Sequence, residues 1–302
     1  MSDTIANMRR KISSVGDIQS VVRTMKALAA ASIGQYENSV RSLVDYYRTV
    51  ELGLGACFLK SLPDAFTADR KPKNDAGVIG AIVFGSDQGL VGQFNDVVAD
   101  YAIRTLAALP GKPRIWAVGE RVHARLADAG MPPDEFFSVP NSVQAITPLV
   151  GQIQIASEAY RGGDENAQLY VFHNRPQSRV LYEPVSQRLL PLDALWLQGL
   201  TKIRWPTQNL PEVMCGGTTT LRALIREYLF ISLFRACAES LASENASRLA
   251  AMQRADKNID ELLEELNRKF HSLRQDGIDE EMFDVISGFE SLPGKQSGSI
   301  SL

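Results

Sequence analysis

Apolar residues at the start of the chain recur in steps of three and four. They are Ile5, Met8, Ile12, Val15, Ile18, Val22, Met25, Leu28, Ile33, Tyr36, Val40, Leu43, Tyr47 and Val50. That is the spacing of one helical face, close to a coiled-coil seam. The pattern resumes near Leu221 and runs through Leu224, Tyr228, Ile231, Leu241, Leu249, Met252, Ile259, Leu262, Leu266, Phe270 and Leu273. Met282, Phe283, Ile286 and Phe289 continue it. Both stretches lack proline: the first is Pro63, and none falls between Pro211 and Pro293. Proline inside a helix costs roughly 3 kcal/mol. The pattern therefore predicts long helices over about 3–59 and 219–290. Ends that meet after an intervening domain are expected to run antiparallel.

Small residues refine this expectation. Ala27, Ala29, Ala30 and Ala31, and the LASENASRLAAM stretch at 241–252, predict slender segments where helices wind closely. Gly16 and Gly34 are expected to mark close packing or soft points, and Gly277 a tolerated defect. The tail at 292–302 is rich in Pro, Gly and Ser and reads as frayed.

The middle follows a different rhythm. GVIGAIVF (77–84) is an uncharged, β-branched run followed by the glycine-rich GSDQGLVGQFN (85–95). This reads as a buried strand, a loop and then a helix at about 93–108. RIWAVG (114–119) repeats the strand signal, ERVHARLADAG (120–130) reads as a helix, and 145–161 suits another. QLYVFHN (168–174) and RVLYEPVSQRLL (179–190) read as paired strands. Alternation of strand and helix predicts a Rossmann-like α/β domain inserted between the helices. The fold class is thus α/β with a long antiparallel coiled coil from the two ends. The expected domains are 1–60, 61–218, 219–291 and a tail at 292–302. Residues 191–217, with Trp196 and Trp205, lack a clear period and are too long for an ordinary loop. They read as a docking segment if those tryptophans are exposed, or as a cover over the sheet if they are buried.

Composition narrows the function. Apolar residues make up 45% and charged residues 22%, ample for a core, and the net charge of −3 argues against a general nucleic-acid binder. Cys57, Cys215 and Cys237 form no CxxC and read as reduced thiols. The opening MSDTIANMRRK lacks the apolar core of a signal peptide. No stretch approaches the ~20 apolar residues of a membrane span. Work at a membrane would run through other subunits.

Readable chemistry is sparse. GSDQGLVG is neither GxGxxG nor a P-loop, and chain geometry is enough to explain its glycines. His123, His173 and His271 form no metal-binding or nucleophile–base spacing. No catalytic residue, cofactor or metal is expected, and a rod plus a body without chemistry points to a mechanical or scaffolding role. Arg9, Arg10, Lys11, Arg23 and Lys26 face only Asp3 and Asp17 in the first thirty residues. They read either as a solvated face or as a collar for an acidic partner. Asp256, Asp260, Glu261, Glu264 and Glu265 would offset part of that charge if the helices are antiparallel.

Three blocks resemble the gamma subunit of F-type ATP synthases, the central rotor shaft. MRRKISSVGDIQSVVRTMKALAAAS (8–32) is similar to the family's opening helix. GSDQGLVGQFN is similar to its S-D-x-G-L-x-G-x-x-N loop. The C-terminal SE-x-x-x-R-x-x-AM, Asn258, Arg274–Gln275 and the V-I-S-G near the end fall at family spacing. The resemblance implies a shaft entering a ring of three alpha and three beta subunits. Its body would lie near the epsilon subunit and the membrane c ring, and its ATP chemistry would belong to beta. It implies ring contacts at Met25, Lys26, Arg274 and Gln275, with Arg9, Arg10, Lys11 and Arg23 as basic partners for acidic loops. It places the chain peripherally, on the cytoplasmic face of a bacterial inner membrane. Ser20 replaces a common family lysine, and Ile278–Met282 alters the I-T-x-E-L segment. The long 191–217 passage is similar to the divergent alternate (N-type) group. Two other readings are a nucleotide-binding α/β protein with helical oligomerisation arms and a static coiled-coil scaffold.

Overall fold

The computed structural model describes residues 2–65, 78–162, 167–178, 181–192, 194–203, 205–209, 211–212 and 217–290. The expected tail at 292–302 and Cys215 lie outside them. The chain divides into two compact units: Met1–Lys26 with Met252–Leu302, and Ala27–Ala251.

The N-terminal pattern forms two helices, α1 (Ser2–Ser42) and α2 (Val44–Ala65), where one was expected. The break has a local cause. Ser39 Oγ donates to the Tyr36 carbonyl, and Ser42 Oγ takes the Ser39 carbonyl that the next helical N–H would use. The Leu43 N–H turns to Val40 instead, at 3.2 Å. Such serine back-bonding bends helices. α2 also continues past Pro63 to Ala65. The C-terminal pattern forms one unbroken helix, α7 (Gly217–Glu290), of 74 residues. Ala carries the highest helix propensity, and Leu, Glu, Lys and Arg follow closely, so Gly277 and Gly288 do not interrupt it.

In the two-helix unit α1 and α7 run antiparallel. Ile5 lies beside Gly277 and Arg9 beside Phe270, while Lys26 reaches Asp256. On α1 the covered positions are Ile5, Met8, Ile12, Val15, Gln19, Val22 and Lys26, spaced by threes and fours, with Gly16 and Met25 half-buried beside them. On α7 they are Met252, Ala255, Asp256, Ile259, Leu263, Leu266, Phe270, Leu273 and Gly277. This is a heptad seam, but not the one the apolar residues predict. Ile18 is 54% exposed, and Leu262 stands outside the seam beside Leu263. Farther along α1, in the larger unit, Leu28 is exposed and Ala29 is buried. The polar α1 residues on this side, Gln19, Arg23 and Lys26, meet Asp256 and Asp260 of α7. Gly16 and Gly34 mark no close packing, because a Cβ on either would meet nothing within 4 Å.

The larger unit holds a five-stranded sheet: β1 (Ile79–Phe84), β2 (Arg114–Val118), β3 (Glu135–Phe137), β4 (Gln168–Pro176) and β5 (Tyr182–Leu190). The order is β3-β2-β1-β4-β5; the first four are parallel and β5 pairs antiparallel to β4. Alternate residues enter two cores. Ile82, Phe84, Trp116, Val118 and Val171 pack with α5 (Ile146–Arg161), α2 and α7. Ala81, Val83, Ile115 and Ala117 pack under α3 (Phe94–Ala107) and α4 (Glu120–Asp128). Both faces are covered, which explains why central strand β1 carries no charged or polar side chain.

Two elements escape the sequence pattern. β3 has three residues, too few to show a period. Helix α6 (Ala194–Thr201) occupies part of the long 191–217 passage. Trp196 packs on Tyr228 with ring centroids 4.7 Å apart, and it hydrogen-bonds Glu51 of α2. A Cβ on Gly55 would sit 2.8 Å from the Leu200 carbonyl, so α6 lies directly on α2. This segment covers helices α2 and α7 rather than the sheet.

Candidate interaction surfaces and the α7 clamp

Open α/β sheets bind ligands outside the carboxyl ends of the strands, where strand order reverses. Here that place lies between β1 and β4, and α7 fills it. Ser247 Oγ donates to the Val91 carbonyl in the loop after β1. Ser243 Oγ donates to the Asn174 carbonyl at 2.9 Å, and Asn174 Nδ2 donates to the Phe94 carbonyl at 2.9 Å. A pyrophosphate would have to displace these side chains. The serines expected to let two helices wind closely instead fasten a helix to a sheet.

One turn earlier on α7, Glu239 reaches the same strand. Its carboxylate accepts from His173 Nε2 at 2.9 Å, Arg175 Nε at 3.2 Å and Arg235 Nε at 2.7 Å. Burial alone would raise its pKa, but the bonds from His173 and Arg235 outweigh it and hold the carboxyl at about 2. Burial lowers the pKa of His173, which stays neutral and donates from Nε2. Nδ1 is buried with no partner among the described residues, consistent with a lone pair there. A lone histidine in a sequence gives no hint of this, because its partner lies 66 residues away.

The GSDQGLVGQFN loop is a tie across strand ends. Asp87 accepts from the Glu120 N–H at 3.0 Å and the Val139 N–H at 2.9 Å, joining the segments after β1, β2 and β3. Asn95 Oδ1 accepts from the Ser86 N–H at 2.9 Å. Gly119 (φ +116°) permits the approach: a Cβ there would lie 2.7 Å from Ser86 N. The loop's role is read from these contacts, as chain geometry suggested.

The sequence-predicted contact residues all lie on the two-helix unit. Arg9, Arg10 and Lys11 are exposed on α1, and Arg9 stands 5.8 Å over the Phe270 ring. Arg274 and Gln275 are exposed on α7. Met25 is half-buried beside the exposed Ile18 and Val21. Arg23 and Lys26 are brought together on Asp256: Lys26 Nζ at 2.6 Å and Arg23 Nε at 3.2 Å. Gln19 donates to Asp260, and Arg23 Nη2 approaches it at 3.5 Å. Asp256 and Asp260 therefore do offset the basic helix. Glu261 and Glu265 pair within their own helix, with Lys257 and Lys269. Beyond the start of α1, Ile278, Met282, Phe283, Val285 and Ile286 of α7 are all exposed. Among the described residues no helix is long and apolar enough to cross a membrane. No group of His, Cys, Asp and Glu among them could hold a metal ion.

Comparison with known proteins agrees with this architecture. The family described as ATP synthase matches residues 4–292. An ATP synthase gamma chain of Dechloromonas aromatica (strain RCB) is 25% identical over 289 residues, covering 93% of this chain and 96% of that relative. One from Methylococcus capsulatus is 27% identical over 296 residues, with coverage of 93% and 96%. Among solved structures, a chain of the Euglena gracilis mitochondrial ATP synthase (OSCP/F1/c-ring) superposes with a TM-score of 0.60 at 15% identity, covering both chains fully. A chain of the Tetrahymena thermophila central stalk and c-ring superposes at 0.54 and 18% identity, over 78% of this chain and 99% of that one.

Proposed function

The chain belongs to the ATP synthase family, and from that premise we propose that it is the gamma subunit, the rotor shaft of an F-type ATP synthase. The observation that carries this reading is the extent of the family match, which spans both long helices and the sheet between them. The α7 clamp gives it a mechanical basis. A shaft must not slip against the body that drives it, and Glu239, Ser243 and Ser247 bond α7 to strand β4 and the β1 loop at buried positions.

In this reading the two-helix unit enters a ring of alpha and beta subunits. The exposed apolar end of α7 suits a sleeve that excludes water from Phe283 and its neighbours. Arg9, Arg10 and Lys11 meet acidic loops, while Met25, Arg274 and Gln275 meet the ring wall. Arg23 and Lys26 take part through the network they share with Asp256. The sheet unit meets the epsilon subunit and the c ring, on the cytoplasmic face of a bacterial inner membrane. Ion transport belongs to the membrane partners, and the long passage at 191–217 supports membership of the alternate group. In the same reading the domains divide near residues 60 and 218, with the terminal helices as shaft and the segment between them as body.

Charge reversal of Arg9, Arg10 and Lys11 tests the reading. It should weaken coupling of ATP hydrolysis to ion pumping while the isolated chain unfolds at the wild-type urea concentration. Each exposed pair is worth about 1 kcal/mol or less, and the contacts form only in the complex. Full coupling in the reversed variant would remove the collar from the mechanism.

A further inference from the structure

We infer that Asp256, supported by Asp260, selects which of two adjacent faces of α1 forms the seam of the two-helix unit, and so which face is presented outward. The role is one of positioning, and it stands apart from the identity of any ring partner.

α1 carries two competing faces between residues 18 and 26. Ile18, Val21 and Met25 each lie one residue before the seam positions Gln19, Val22 and Lys26. One residue is about 100° of helical rotation. By hydrophobic burial alone, isoleucine, valine and methionine should win over glutamine, valine and lysine. The structure has the reverse: Ile18 is 54% and Val21 58% exposed, whereas Val22 is 8% exposed. Closer to the N-terminus there is no such contest. Residues preceding Ile5, Met8, Ile12 and Val15 are Thr4, Asn7, Lys11 and Ser14, all polar and exposed.

The carboxylates decide the contest. Asp256 sits at a seam position of α7 with only 13% of its side chain exposed. With Lys26 facing it, its two oxygens take Lys26 Nζ and Arg23 Nε. With Met25 facing it instead, a largely covered carboxylate would lose its ammonium partner. One turn on, Gln19 donates to Asp260, whose side chain is 56% exposed and adds a second, weaker contact on the same side. A polar pair at a seam position is an established way to fix register at a cost in stability. Here the outcome is that Ile18 and Val21 face outward, while Met25 stays half-buried.

Hydroxyl-radical footprinting of the full chain, read by peptide mass spectrometry, tests this with no reporter substitutions in α1. In the wild type Ile18 and Val21 should be modified fast and Val22 slowly. In Asp256→Asn/Asp260→Asn the pattern should exchange: Ile18 and Val21 protected, Val22 exposed, each by roughly tenfold. Asp256→Glu should keep the wild-type pattern. Unchanged rates in the double variant would overturn the inference. So would a common rise at all three positions, which would mean that the carboxylates only hold the helices together.

Discussion

α7 is held in two ways along its length, and the contrast separates strength from selection. In the sheet unit it is buried on nearly every side between Tyr228 and Glu244. Glu239 there is 9% exposed and receives three donors. In the two-helix unit α7 shows one covered face, and most of its other positions are exposed. Its ionic layer at Asp256 lies within reach of water through Arg23, which is 56% exposed. The first arrangement fastens a helix so that load passes without slip. The second contributes little net strength and decides which side of α1 faces out.

The largest predicted effect is at the clamp. Glu239→Ala leaves His173 and two guanidiniums without their acceptor. It should cost about 3 kcal/mol, measured as a lower urea midpoint of the isolated chain. A loss under half of that would show the clamp to be ornamental. Gly119→Ala follows, because a left-handed φ and a 2.7 Å approach to Ser86 N are both violated. About 2 kcal/mol should be lost in the same measurement.

Acid resolves the two members of the clamp by window. His173, Glu239 and Asp256 all have lowered pKa values, so the unfolded chain binds more protons as pH falls. The His173 contribution is complete above its ordinary 6.5 and fades below it. The Glu239 contribution is present above 4.5 and fades towards about 2. His173→Gln should therefore flatten the stability profile below about pH 6.5 and leave the carboxylate limb intact. An unchanged upper limb would contradict the assignment.

Smaller still is Asp256→Ala, whose loss in urea midpoint should fall below that of Glu239→Ala. The difference between wild type and this variant should shrink in 1 M salt, since exposed pairs are screened. A Glu239→Ala effect that shrank equally would erase the distinction between the regions. At the small end, Gly16→Ala meets open space in a helix interior and should stabilise the chain by about 0.5–1 kcal/mol.

The same contrast explains what could be read in the sequence. β1 is legible because a strand covered on both faces is an uncharged run, and β4 because Leu169–Phe172 is continuously apolar. The long helices were legible because proline is confined to the middle. Three-residue β3 carries too little pattern, and α6 hides its helical face among apolar neighbours that rest on α2. The seam departs from the apolar pattern at Ile18 and Leu28, because apolarity is the only guide the sequence offers there. The deciding groups, Asp256 and Asp260, lie more than 200 residues away in sequence. Arg23 and Lys26 stood out as a basic pair, but their shared partner needed the antiparallel register. His173 and Glu239 had no spacing that could announce them.

The central claim is that this chain turns within a ring. It is tested most directly by Arg274→Cys in the assembled complex, with a second cysteine on the facing beta loop. Oxidation should stop ATP turnover, and reduction should restore it. A confirmed crosslink with full turnover would contradict the account.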